Sequence, residues 1–483
     1  MSDNINPRID RAALERTLCE LGRVEDLTDL GARGPLMASA GQDSLFHCLF
    51  GRDALRMAAD LLDDFPAVAR STLVELARLQ GVRHNPRAEE EPGRILHEHR
   101  HPDDPHAVRL AAQAGWEFPY YGAVDTTPQW INLLNAYCER QGPDLLDETI
   151  TDRQWRQVTL RDSLMAALVW IVGRMDDPAN GGYVCVRRTN PSGIANQVWE
   201  DSPDSYYHAD GTLFDVTRPY APIAVQGHVY DALVASADLL ERAPGALPVA
   251  PELLRARAAG LRARVLKEFW QADLGTFAQA LTIEEDGSLR PARVVASSAG
   301  HLLATRLLDG PDATLLRERL IARLLEPDLL AGSGIRTKST TAARFGAGTY
   351  HNGSSWPMDT GVIADGVRRH GYEQAADELE RRILHACAAI GGFPEFFRAD
   401  QDGSVRVNDR TVDVVQDNVV NRLEQPPQAF QGWTATRIWR IVQQRDARPG
   451  RVLSLVAPPQ KCSTVDNGLV QRAGSGEQRA RAA

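Results

Sequence analysis

Residues 251–271 read PELLRARAAGLRARVLKEFWQ, and the apolar positions Leu254, Ala258, Leu261, Val265 and Phe269 step by four, three, four and four. That interval puts them on one face of an α-helix and leaves the arginines on the other. The stretch from Tyr372 repeats the pattern through Ala376, Leu379, Ile383, Cys387 and Ile390. Less regular versions occur near 10–22, 53–64, 67–80, 127–140, 152–174, 221–241, 295–307, 313–325, 356–369 and 427–443. Strand signals are short: 182–187, 276–283 before the turn residues Glu285, Asp286 and Gly287, and 405–415. The strand–helix alternation of a doubly wound sheet is missing, so the sequence predicts an all-α architecture of about a dozen helices with short β-hairpins in its loops.

The 483 residues carry 54 Lys+Arg against 64 Asp+Glu, a net charge of −10. Nucleic acid and anionic membrane surfaces need a basic excess, so neither is an expected partner. Only Lys267, Lys338 and Lys461 are lysines, and the arginines are spread along the whole chain rather than gathered in a phosphate-binding patch. The six cysteines, at 19, 48, 138, 185, 387 and 462, show no CxxC pairing, which points to reduced thiols rather than a disulfide framework or structural zinc. The N-terminus has no apolar leader, and the longest strongly apolar stretch, 164–172, is too short for a bilayer. A cytoplasmic protein is expected, with no metal and no cofactor.

Aromatic residues make up 6% of the chain, yet residues 116–130, WEFPYYGAVDTTPQW, contain five of them beside Glu117 and Asp125. Further clusters mix aromatics with polar groups: QVWEDSPDSYYHADG at 197–211, TYHNGSSWPMD at 349–359 and GGFPEFFRAD at 391–400. All four lie between helical patterns and contain Gly or Pro, so they read as loops at helix ends. Sugars suit such loops, because their C–H faces stack on rings while their hydroxyls need planar hydrogen-bonding groups.

Glycosidic hydrolysis requires one protonated carboxyl at the leaving oxygen and one ionised carboxylate across the bond. Candidates in these loops are Glu200, Asp201, Asp204, Asp210 and Glu395, with Glu424 a further possibility, and spacing alone does not choose among them. The run HEHRHPDDPH at 97–106 contains four histidines but lacks HExxH spacing and reads as a solvated loop. No P-loop, dinucleotide fingerprint or nucleophile elbow is present.

At these loops the chain resembles the six-hairpin glycosidases, most closely the amylo-alpha-1,6-glucosidase domain of glycogen debranching enzymes and related bacterial proteins. The matching pieces are FGRD at 50–53, EPGRILHE at 91–98, YYGAVDTTPQW at 120–130, NQVWEDSPDS at 196–205 and HADG at 208–211. They continue in order with PIAVQGHVYDAL at 222–233, GIRTKS at 334–339, TYHNGSSWPMD at 349–359, FPEFF at 393–397 and PPQAF at 426–430.

The resemblance implies an (α/α)6 barrel and an inverting hydrolase of terminal α-glucosidic bonds, with glycogen or oligosaccharide debranching as the leading activity. Asp201 falls on the family's general acid and Glu395 on its general base. Arg52, Asp53, Tyr121, Asp125, Trp199, Gln226, Arg336, His351, Asn352, Trp356 and Gln428 fall on substrate-contact or site-shaping positions. In departure from the family, Ala224 and His228 stand where relatives often have Glu and Tyr, and the chain starts almost at the barrel, which argues against bifunctional debranching. The polar stretch 399–422 is expected to narrow the entrance, so a small α-glycoside such as glucosylglycerate, mannosylglycerate or a disaccharide is an alternative substrate. A non-catalytic sugar-binding barrel is another. The expected organisation is an N-terminal helical extension over 1–39, the glycosidase domain over 40–460 and a disordered tail over 461–483; the oligomeric state is left open.

Overall fold

The computed structural model describes residues 9–41, 45–243, 247–416 and 419–447, and the expected tail over 461–483 lies outside them. Among these residues there are twelve α-helices: α1 Arg11–Gly22, α2 Gly51–Leu61, α3 Pro66–Arg78, α4 Pro105–Ala114, α5 Thr126–Gln141, α6 Leu160–Asp176, α7 Ile223–Arg242, α8 Pro251–Glu268, α9 Thr314–Leu324, α10 Pro357–Arg369, α11 Glu373–Ile390 and α12 Gly432–Asp446. In α8 the stripe Leu254, Ala258, Leu261 and Val265 is buried, as its periodicity requires.

Six segments close a ring. Helix α2 touches α5, α5 touches α7, α7 touches the 3-10 segment Ser297–Ala304, that segment touches α10, α10 touches α12, and α12 returns to α2. A second layer packs outside: α3 on α2, α6 on α5, α8 on α7, α9 on the 3-10 segment, α11 on α10 and α1 on α12. This is the (α/α)6 architecture. Helix α1 brings Leu14, Leu18 and Leu21 into the same core as the ring.

Charge as well as apolar surface closes the seam. Arg437 of α12 bonds Asp60 of α2 at 2.7 Å and Asp365 of α10 at 2.6 Å, and its side chain is 5% exposed. Gly361 makes room for it: a Cβ there would stand 2.5 Å from Arg437 Cδ.

Four sequence expectations are corrected. The region 152–174 is helical only from Leu160, where Thr159 and Asp162 form a capping box; before it, Thr149–Thr151 pairs with Gln157–Thr159 as a hairpin. The region 295–307 is 3-10 rather than α, and Thr305, extended at ψ 166°, ends its first segment. The strand expected at 182–187 is a single bridge from Val186 to Tyr220, preceded by Gly181 and Gly182 at φ 58° and 85°. The strand expected at 405–415 begins only at Val412, in a hairpin Val412–Gln416 with Val419–Glu424.

Arg437→Met leaves Asp60 and Asp365 buried with Arg440, at 3.4 Å from each, as their remaining ion-pair partner among the described residues. We expect it to lower stability by about 3 kcal/mol, read as a shift in the urea midpoint at unchanged slope.

Candidate active site

The ring helices present their N-terminal ends to one mouth, as their paired residues show. Leu49–Phe50 pairs with Glu98–His99 and delivers Gly51, whose N–H bonds His97 O at 2.8 Å. Only glycine fits there, because a Cβ would lie 2.2 Å from Leu96 O. Arg52 and Asp53 therefore sit in the first turn of α2. Asp125 is the N-cap of α5, but it makes no side-chain cap bond. Its carboxylate instead receives the Arg52 fork, Nε at 2.8 Å and NH2 at 3.1 Å. Gln431, the N-cap of α12, donates to Asp53 at 3.0 Å.

Asp201 comes from the loop after Trp199, with Oδ2 3.9 Å from Arg52 NH1. Its side chain keeps 31% exposure, yet it lies deep in the recess: desolvation lifts its carboxyl to about 7 against the pull of Arg52, with the Asp125 charge adding to the rise. Glu395, 5% exposed, is also lifted to about 7, first by burial and further by the charge of Asp201. Two donors oppose that rise, the Tyr350 hydroxyl and the Gln428 N–H at 3.3 Å. Burial pushes Asp53 to about 8, with Arg52 opposing and Glu395 and Asp201 reinforcing. Asp53, Asp201 and Glu395 thus feel one another across a single recess.

Aromatic rings form the wall behind. Trp199 stacks on His301 at 5.8 Å and meets His351 and Trp356 edge-on at 5.5 and 5.9 Å. His351 stacks on Trp356 at 5.0 Å, and Trp356 on Phe396 at 5.3 Å. His301 in turn bonds the buried Asp359 at 2.7 Å. A narrow gap beside the recess is lined by Arg52, Arg56, Asp125, Trp199, Ala224 and His228 among others. His228 is held neutral by burial and by Arg56, whose NH2 lies 3.1 Å from its Nε2.

The other sequence-derived positions fall into two groups. Gln428 reaches Glu395 through its backbone, and His351 and Asn352 brace the loop of Asp201, His351 Nδ1 to Ser202 at 2.8 Å and Asn352 Nδ2 to Asp204 at 3.0 Å. Tyr121, Gln226 and Arg336 are engaged elsewhere. The Tyr121 hydroxyl donates to Leu79 O and accepts from Arg153; the Gln226 amide braces Val184 and Pro222; Arg336 donates to the carbonyls of Pro327, Leu330, Ala399 and Asp400.

Among the weighed carboxylates, Glu200 is bound by Lys338, and Glu424 takes Arg398 NH1 at 2.7 Å. Asp210 is exposed and accepts from Thr212 N in a turn. The segment 97–106 corrects the solvated-loop reading: His97, Glu98 and Arg100 are buried, Glu98 bonds Arg100, and α4 follows. Its signal is visible in the sequence as Asp104, which caps α4, before Pro105 at the first helical position. Sequence reasoning also passed over Tyr350 and Lys338, both inside quoted motifs.

The fold is that of the six-hairpin glycosidases. The model of one family, the mannosylglycerate hydrolase MGH1-like glycoside hydrolase domain, matches residues 116–408, and the chain belongs to that family. A mannosylglycerate hydrolase from Rubrobacter radiotolerans is 28% identical over 186 residues, 37% of this chain; the match spans 40% of that relative's length. Crystal structures of GH63 mannosylglycerate hydrolase from Thermus thermophilus share the fold. The Tris complex has a TM-score of 0.59 at 13% identity over 90% of this chain and 100% of that one. The glucose complex has a TM-score of 0.57 at 15% identity over 89% and 99%.

Asp53 gives a test of the buried recess that is independent of activity. A carboxyl raised in the fold loses stability as pH climbs from its unfolded value near 4 through its folded one. Asp53→Asn keeps an acceptor for Gln431 and has no charge to bury. Its melting temperature should therefore rise relative to wild type between pH 4 and pH 8; parallel melting curves across that range would contradict the burial argument.

Proposed function

We propose that the protein is an inverting α-glycoside hydrolase acting on a small α-glycoside of the mannosylglycerate or glucosylglycerate kind. The observation that carries it is the pairing of Asp201 and Glu395, two carboxyls from different loops facing one recess, both lifted to about 7. Their surroundings divide the roles. Tyr350 and the Gln428 N–H both donate to Glu395 and favour its ionised form, which suits it to act as the base and leaves Asp201 as the acid. Asp201 then protonates the leaving oxygen while Glu395 takes a proton from the attacking water.

Arg52 and Asp53, 3% and 6% exposed, are placed to grip the hydroxyls of a terminal sugar, with burial raising the Asp53 carboxyl to about 8, so that it can donate to a hydroxyl. The sequence ranked debranching of glycogen or oligosaccharides first. Membership of the mannosylglycerate hydrolase-like family favours the small glycoside instead.

Asp201→Asn and Glu395→Gln should each lower kcat by about 10²–10⁴-fold with folding intact, while Glu424→Gln stays active. Wild-type turnover in either of the first two would falsify the assignment. In a screen over glycerate glycosides, maltooligosaccharides and branched glucan, release is expected from the glycerate conjugates, with the β anomer appearing first by NMR. An α anomer first would exclude inversion, and calorimetric binding without product would favour a sugar-binding barrel.

The rate should follow a bell centred near pH 7. Its acid limb reflects protonation of Glu395 and its alkaline limb loss of the Asp201 proton, the two steps belonging to the coupled pair. A plateau extending beyond pH 9 would contradict the assignment.

A further inference from the structure

We propose that the buried ion pair of Lys338 and Glu200 is a positioning device that fixes the loop of Asp201 against the loop that holds Glu395. The inference rests on the reading of those two carboxyls as acid and base. Both members of the pair are completely buried, with Lys338 Nζ 2.5 Å from Glu200 Oε1. The second Glu200 oxygen accepts from the Tyr206 hydroxyl at 3.1 Å and Gln279 Nε2 at 3.2 Å. The same Lys338 ammonium donates to His351 O at 3.2 Å.

Asp201 is therefore bracketed on both sides. The residue before it, Glu200, is bound to Lys338, and the residue after it, Ser202, is bound through N and Oγ to His351 Nδ1 at 3.3 and 2.8 Å. The carbonyl of that His351 hangs from the same ammonium. Tyr350, the next residue back, donates to Glu395. One cation thus joins the loop of the acid to the phenol that holds the base.

The residue type fits the task. A chain whose cations are nearly all arginine has lysine here, where a compact ammonium must bond a carboxylate and a carbonyl at once, a geometry unlike the planar fork of arginine. Charge alone does not explain the site, since a buried ion pair is often no more stabilising than an apolar pair of similar volume.

The test uses the full-length chain with α-mannosylglycerate and α-mannosyl fluoride, or the glucosyl pair if the screen selects glucose. Lys338→Met alone leaves Glu200 as a buried unpaired charge, so the decisive protein is the double variant Lys338→Met/Glu200→Gln, which removes both. It should melt near the wild-type temperature and lose about 10²-fold in kcat on the glycerate conjugate with KM little changed, the size of effect that a displacement of about 1 Å brings. On the fluoride, whose leaving group needs little help from an acid, the loss should shrink to about tenfold. Wild-type kcat in the double variant, or an equal loss on both substrates, overturns the positioning role. Asp201→Asn runs alongside. If it too keeps full turnover, the acid assignment has failed; if it shows the leaving-group dependence and the double variant does not, only the positioning role has.

Discussion

The buried guanidinium of Arg52 carries the constraint on which the rest of the recess depends. A cation 3% exposed at the head of α2 must be compensated, and it takes Asp125 at the head of α5 in a two-point bond while standing 3.9 Å from Asp201. That bond orients two ring helices and fixes where the loop of Asp201 can rest. It also limits how many carboxylates the recess can hold ionised, because one guanidinium stands among Asp53, Asp125 and Asp201. Desolvation does the remainder, and the carboxyls left without a full partner settle near neutrality.

The layer behind the recess is stiff for a different reason. Trp199, His301, His351, Trp356 and Phe396 form a continuous run of ring contacts, and the Trp356 indole N–H is tied to Tyr350 O at 3.0 Å and Ser354 Oγ at 2.9 Å. Planar rings have few rotamers to lose and resist shear, so the loops that bear the carboxyls rest on a rigid backing. Preorganisation of that kind is what the proposed pair of proton transfers would require.

Much of the fold was legible because helix periodicity reports burial directly: the stripe in α8 and the one from Ala376 to Cys387 in α11 are buried where the spacing put them. Helix α4 was hidden because its face is largely polar and only Ala107 is buried, leaving the cap as its one signal. The front of the 152–174 segment was misread because a capping box outweighed an apparent pattern. At the site, residue types offered six carboxylates and only the family resemblance singled out Asp201 and Glu395, whereas the supports of those two were not readable. Tyr350 and Lys338 matter through contacts with residues 45 and 138 positions away, and no local pattern encodes such distances.

The ring also separates two kinds of sequence change. Arg52 and Asp125 head two ring helices, but Asp201, Tyr350 and Glu395 stand on connections that leave and rejoin the ring at its mouth. Lengthening a surface connection costs little, since closure entropy grows only with the logarithm of its length. Ancestral chains with this ring could therefore exchange substrates by remodelling one connection at a time, while the packing of inner helix on outer helix continued to specify the same fold.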